Sequence, residues 1–170
     1  QSVDFPEVII IGDNAFNECY ELISVSLPMA TTIGQGAFEY CEVLESIDLP
    51  EVMDIGDYAF YDNSALTSIN LPEAISIGEG AFYGCISLTS VDIAKATTIG
   101  DEAFAECEEL ADVNMPLVTT IGDRAFYSCR ELIEVDLPEV VTIENSAFSD
   151  CSNIETINIP NATSIGEYAF

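Results

Sequence analysis

The groups in this sequence that could bind an ion, move a proton or form a covalent bridge are 31 Asp and Glu side chains and six cysteines. Both sets recur at fixed spacing. One acidic line is Asp13, Gln35, Asp57, Glu79, Asp101, Asp123, Asn145 and Glu167, each 22 residues from the last. Adjacent carboxylates beside turn carbonyls suit a hard cation that takes oxygen ligands, so Asp57, Glu79, Asp101 and Asp123 are the candidate calcium line. No Asp-x-Asp-x-Asp-Gly loop accompanies them, and diffuse counter-ion binding is the competing reading. A second line is Asp4, Ser26, Asp48, Asn70, Asp92, Asn114, Asp136 and Asn158, in which acid and amide alternate from Asp48 onward. Asp48, Asn70, Asp92, Asn114, Asp136 and Asn158 form the candidate recognition stripe for a ligand, a sugar or a cation. The competing reading is relief of like-charge repulsion, with each Asn donating to both neighbours. Paired carboxylates also raise glycoside hydrolysis, but flat or convex ladders lack the cleft such chemistry needs.

The cysteines Cys19, Cys41, Cys85, Cys107, Cys129 and Cys151 share one phase, with Asn63 as the exception. Stacked along one interior line they are expected to be buried free thiols, since parallel Cβ vectors make poor bridges. Asn63 then needs a backbone partner. Tyr61, Tyr83 and Tyr127 share another phase and Tyr58 and Tyr168 a third. They are expected to cover the turn side with their rings and wet their hydroxyls, with an aromatic contact strip for a partner as the sharper reading.

Against the acids stand only Lys95, Arg124 and Arg130, for a formal charge of −28. Nothing here neutralises phosphates, so nucleic acid is excluded as a partner, and an anionic membrane surface is disfavoured for the same reason. The absence of His removes His-based triads and metal–His sites. With 49% hydrophobic residues the acidity does not signal disorder.

The elements that position these lines come from the repeat itself. Ile recurs at 11, 33, 55, 77, 99, 121, 143 and 165; Ala-Phe follows each time, and all seven prolines share one phase, interrupted only by Ala94. In Ser46-Ile47-Asp48-Leu49-Pro50, apolar Ile47 and Leu49 flank an outward Asp48, which is a strand with one buried face. Pro50 ends it. Val52 and Ile55 continue inward, and pairs such as Thr31-Thr32 and Thr97-Thr98 suit a second short extended segment. Gly56 is expected to supply a turn with positive φ; where Glu144 replaces this glycine, Asn145 is expected to carry the left-handed residue. Ala59-Phe60 and the Cys position read as a short helical or 3₁₀ turn. One coil cannot bury its eight inward residues, so coils must stack, and strands about 4.8 Å apart give a rod about 35–40 Å long. The fold class expected is a solenoid of almost eight coils, residues 1–170 forming a single array.

The unit Cys-x-x-Leu-x-x-Val-x-Leu-Pro-x-Val-x-x-Ile-Gly-x-x-Ala-Phe resembles the BspA-like leucine-rich repeat of bacterial and protist surface proteins. The resemblance covers essentially the whole chain. It implies a right-handed leucine-rich-repeat solenoid with a parallel β-sheet on one face and turns on the other, and a secreted or surface-displayed protein, with adhesion or host-protein binding as the function. It carries no catalytic motif. The period here is 22, where 23 is common in the family.

Neither end of the array carries a polar cap. That is expected either because the chain is a segment of a longer surface protein or because coils stack head to tail between subunits. The function expected is therefore a non-enzymatic extracellular structural or adhesive module whose partner is a protein or glycan, the alternative being a filament subunit whose partner is itself. No cofactor and no membrane insertion are expected.

Overall fold

Each unit's apolar–polar alternation becomes a three-residue strand, and its Thr- or Ser-and-Ile pair a two-residue strand. In the computed structural model, which describes residues Gln1–Phe170, the first coil holds β1 (Ser2–Asp4) and β2 (Ile10–Ile11), the second β3 (Ser24–Ser26) and β4 (Thr32–Ile33). The series continues with β5 (Ser46–Asp48), β6 (Asp54–Ile55), β7 (Ser68–Asn70), β8 (Ser76–Ile77), β9 (Ser90–Asp92) and β10 (Thr98–Ile99). It ends with β11 (Asp112–Asn114), β12 (Thr120–Ile121), β13 (Glu134–Asp136), β14 (Thr142–Ile143), β15 (Thr156–Asn158) and β16 (Ser164–Ile165). The result is a parallel β-solenoid of seven full turns and an incomplete eighth. Paired residues lie 22 apart, as in Ser24 with Ser46 and Ile33 with Ile55.

The two strand faces differ in continuity. The two-residue strands form one eight-stranded sheet from β2 to β16, whereas the three-residue strands form three sheets, β1-β3-β5, β7-β9-β11 and β13-β15. The interruption between β11 and β13 falls where Asp112 and Glu134 occupy equivalent positions in adjacent coils, and like charges opposite one another weaken strand pairing.

Between the faces, Leu44, Ile47, Leu49, Val52, Ile55, Ala59 and Phe60 of one turn are all buried. The phenylalanines from Phe16 to Phe170 stack along the axis with ring centroids 5.0–5.3 Å apart. Each buried ring contributes about 1.5–3 kcal/mol relative to exposure, and only a stacked neighbour supplies that burial.

The segment expected as a helical or 3₁₀ turn is instead a run of i→i+3 turns. In the second coil the N–H groups of Ala37, Glu39, Cys41 and Leu44 donate to the carbonyls of Gly34, Gly36, Phe38 and Cys41. The alternate N–H groups, of Gly36, Phe38 and Tyr40, donate to Asp57, Ala59 and Tyr61 in the next coil. Two residues per coil take left-handed backbone, at the phases of Asn14 and Glu18, which no helix permits. The glycines at the phase of Gly56, expected to supply positive φ, do not adopt it. From Gly34 onward they are crowded by the coil before: a Cβ at Gly78 would stand 2.7 Å from the backbone N of Asp57. In the unit where Glu144 replaces this glycine, the left-handed residue is Ser146, not Asn145.

Candidate functional site

The recognition stripe lies on the three-residue strands. Because successive side chains alternate across a strand, burying Ile47, Ile69, Val91 and Val135 forces their following Asp or Asn outward, and all six stripe residues are exposed. Asn114 Nδ2 donates to Asp92 Oδ1 at 2.8 Å and Asn158 Nδ2 to Asp136 Oδ1 at 2.7 Å. The bridging in both directions expected from the alternation does not form. Each of these amides bonds the preceding Asp alone, and Asp48 and Asn70, on either side of the β5–β7 interruption, make no side-chain hydrogen bond. An amide spans to a neighbour only where the ladder holds the coils in register. Shallow depressions lie over this face, about 570 Å³ above Ser2, Asp4, Ser24, Ser26, Ser46 and Asp48. Another of about 350 Å³ lies above Ser68, Asn70, Ser90, Asp92, Asp112 and Asn114.

The calcium line lies at the start of the turn segment. There Asp57 Oδ1 accepts the N–H of Glu79 and Asp101 Oδ1 that of Asp123, both at 2.9 Å. Asp13 does the same for Gln35, and Asn145 Oδ1 for Glu167. These side chains tie one coil to the next. Glu79 accepts the Tyr58 hydroxyl, and Asp123 lies 3.9 Å from Arg124 Nε. No three His, Cys, Asp or Glu side chains converge to hold a metal ion.

All six cysteines are free thiols. Five of them donate to a phenylalanine carbonyl of the preceding coil: Cys41 to Phe16 at 3.1 Å, and Cys85, Cys107, Cys129 and Cys151 to Phe60, Phe82, Phe104 and Phe126 at 3.0–3.2 Å. Burial pushes the Cys41 thiol up to about 11 and Cys85 to about 12, and holds Cys107 and Cys129 well above the ordinary thiol range. Asn63 imitates the thiol, its Nδ2 donating to Phe38 O at 2.8 Å, but its buried Oδ1 has no partner.

Spacing did not reveal the contacts among the tyrosines. Tyr61 and Tyr83 stack at 4.8 Å, and Tyr40 and Tyr58 stand edge-on to Tyr61. Tyr40 is the sole tyrosine at its phase, so it carries no periodic signal. The hydroxyls expected to be wet are bonded in two cases, Tyr83 to Glu106 Oε1 at 2.8 Å and Tyr58 to Glu79. The bond to Glu79 holds the Tyr58 phenol up at about 12. Burial, then the bond to Glu106, raises that of Tyr83 further.

With this geometry in place, the sequence matches the BspA type leucine-rich repeat region, in six copies, over residues 1–96 and 75–170. Among solved structures, the T. pallidum leucine-rich repeat protein superposes with a TM-score of 0.67 at 26% identity, covering 97% of this chain and 72% of that one. A leucine-rich repeat protein from Bacteroides ovatus gives 0.59 at 27% identity, over 97% of this chain and 56% of that one. One from Eubacterium ventriosum gives 0.54 at 19% identity, over 99% and 75%, a likeness of fold alone. No curated protein sequence matches.

Proposed function

The chain belongs to the BspA-type leucine-rich repeat family, and from that premise we propose that it is a surface-displayed, non-enzymatic module that binds a protein or glycan through its three-residue-strand face. Proteins of this type are typically surface proteins, and leucine-rich-repeat solenoids are generally non-enzymatic. No helix is long and apolar enough to cross a membrane.

The observation that carries the reading is the exposed stripe. Asp48 and Asn70 present unengaged carboxylate and amide groups beside the serines of β3, β5 and β7, above shallow depressions. Hydroxyl, carboxylate and amide groups on a rigid ladder are the donors and acceptors that sugar hydroxyls and peptide groups require. The test is binding to immobilised mucin-type glycans and matrix glycoproteins by the chain and by its Asp48→Ala/Asn70→Ala/Asp92→Ala variant. At least about a tenfold loss is expected, in line with removal of hydrogen bonds to charged and polar groups. Equal binding by both proteins, or none by either, removes the reading.

Self-association is the second reading, and the register favours it. Every coil pairs with the next through the same ladder, so a coil of one copy is complementary to a coil of another. A head-to-tail contact of this kind does not close and builds a filament. Light scattering that grows with concentration, with fibres by electron microscopy, is its expected result; a concentration-independent monomer excludes it.

A further inference from the structure

The turn face carries an aromatic ledge that the strand-face reading does not use. Tyr61 and Tyr83 stack with their planes within 7°, and Tyr40 and Tyr58 flank Tyr61 at 5.6 and 6.0 Å. All four are half-buried, so the cluster keeps a solvent-facing side. Gly80 allows Tyr58 to lie across the next coil, because a Cβ there would sit 2.7 Å from Tyr58 Cδ1 and Cε1. The bonds from Tyr58 to Glu79 and from Tyr83 to Glu106 fix two of the rings. The ledge is thus rigid before any partner arrives, which limits the ordering entropy of binding.

Its charge is unbalanced. Asp62, Glu79 and Glu106 have no basic partner, and Glu102 has only Arg124, whose Nη1 lies 3.6 Å away. Asp62 faces Glu106, Glu42 and Glu39 as well as being partly desolvated, and its carboxyl is raised accordingly. Arg124 stands at one end of the ledge. This guanidinium stands beside a carboxylate, over a cavity of about 320 Å³ shared with Tyr83, Glu106 and Tyr127. Arg124 therefore occupies the end of the ledge beside Glu102, while Asp62 and the Tyr61 ring lie outside that cavity and have no cation.

We propose that this ledge binds a basic, arginine-bearing segment of a protein partner, laid along the solenoid axis, with guanidinium groups packed on the tyrosines and paired with Asp62 and Glu106. Arginine fits better than lysine because its planar, weakly hydrated head both stacks on rings and pairs with carboxylates in a fork. The strand face lacks this combination: Asp92 and Asp136 are bonded to Asn114 and Asn158, and the outward positions of the strands are Asp, Asn, Glu, Ser and Thr, with no aromatic residue.

The proposal is tested by fluorescence anisotropy on the whole chain at physiological salt, with a labelled octapeptide of alternating Arg and Gly. Substituting Tyr61→Leu with Tyr83→Leu leaves the net charge unchanged and is expected to weaken binding about tenfold, the scale of partly desolvated cation–π contacts. The Asp62→Asn/Glu106→Gln variant should weaken it comparably. Asp92→Asn/Asp136→Asn removes the same charge from the strand face and should leave it within about twofold, since exposed charges act over only a Debye length. Tyr61→Phe with Tyr83→Phe keeps the rings and should retain binding, which guards against loss through misfolding. Equal losses from the two carboxylate variants would show that only the diffuse field of an acidic protein attracts the peptide, and would overturn the proposal. Unchanged binding on removal of the rings would do the same. Neither result bears on the strand-face stripe, which the glycan and glycoprotein measurements test separately.

Discussion

Asn63 interrupts the line of thiols, and its two side-chain atoms have opposite fates: Nδ2 replaces the Cys S–H as donor to the Phe38 carbonyl, while Oδ1 is buried without a partner. An unsatisfied buried acceptor costs about 1–3 kcal/mol, so Asn63→Cys is expected to stabilise the chain by about 1 kcal/mol, read as a higher urea midpoint at unchanged slope. A lower midpoint would mean that the amide fills its site better than sulfur does. The thiols themselves are expected to be inert. At pH 8 a disulfide reagent should titrate one cysteine quickly, the half-buried Cys19, and all six only in denaturant, because burial raises the thiols from Cys41 to Cys129 and thiolate is the reacting form. Several fast thiols in the native chain would contradict the packing. The shared phase made the buried line legible in the sequence. The acceptors of the five S–H groups were not legible, because each lies 25 residues back, on a carbonyl whose direction depends on the turns.

The turns are also where element-scale reading from the sequence went astray. A glycine in every coil is consistent with either positive φ or close approach, and repetition alone cannot separate them. Gly12 and Gly78 do separate them, since a Cβ at Gly12 meets nothing within 4 Å, whereas at Gly78 it meets Asp57 N, Asp57 Oδ1 and the carbonyl carbon of Gly56, each at 2.7 Å. Gly78→Ala is therefore expected to cost about 1–3 kcal/mol, as overpacking does, and Gly12→Ala close to nothing, both measured by urea unfolding. Equal effects would return the explanation to backbone conformation. The left-handed positions were hidden for a different reason. They are filled by Asn, Gly, Tyr, Glu, Arg, Ser and Asp, so no residue type marks them, and the inter-coil hydrogen bonds of the turn ladder hold them there. The strands, by contrast, were legible because period-2 burial and a phased proline act within a few residues, and the turn persists at Ala94, where Ala96 N–H still donates to Ile93 O.

At the scale of the whole molecule the formal charge of −28 becomes a constraint on stability. The three basic residues each face a Glu one coil earlier, Lys95 with Glu73, Arg124 with Glu102 and Arg130 with Glu108. Such exposed pairs are worth at most about 1 kcal/mol each, and most of the 31 acids have no basic partner. Adjacent coils, about 5 Å apart by their stacked rings, sit well inside the Debye length of about 8 Å at physiological ionic strength, so like charges on neighbouring coils repel across the whole sheath. Acidification should relieve this. The Asp62 carboxyl is raised in the folded chain, first by burial and then by Glu106, Glu42 and Glu39, so the folded state binds more protons than the unfolded one in that window, and stability falls as pH rises from the ordinary carboxylate range through the raised value. The tyrosines define a second window. Tyr58 keeps its proton to about 12 when folded, while an unfolded phenol loses it near 10, so stability declines again between those values. Thermal melts should therefore show a higher Tm at pH 5 than at pH 8 and a steep loss above pH 10, with the phenolate absorbance appearing along with unfolding. Sodium chloride should raise the Tm at pH 8, and millimolar calcium should do so more strongly at equal ionic strength. Because no three carboxylates converge, the calcium effect should grow without a stoichiometric break. A Tm indifferent to salt and flat from pH 5 to 8 would mean that the sheath's repulsion is already absorbed by the spacing of its charges, and a sharp calcium end-point would place a specific ion on the line of Asp57, Glu79, Asp101 and Asp123.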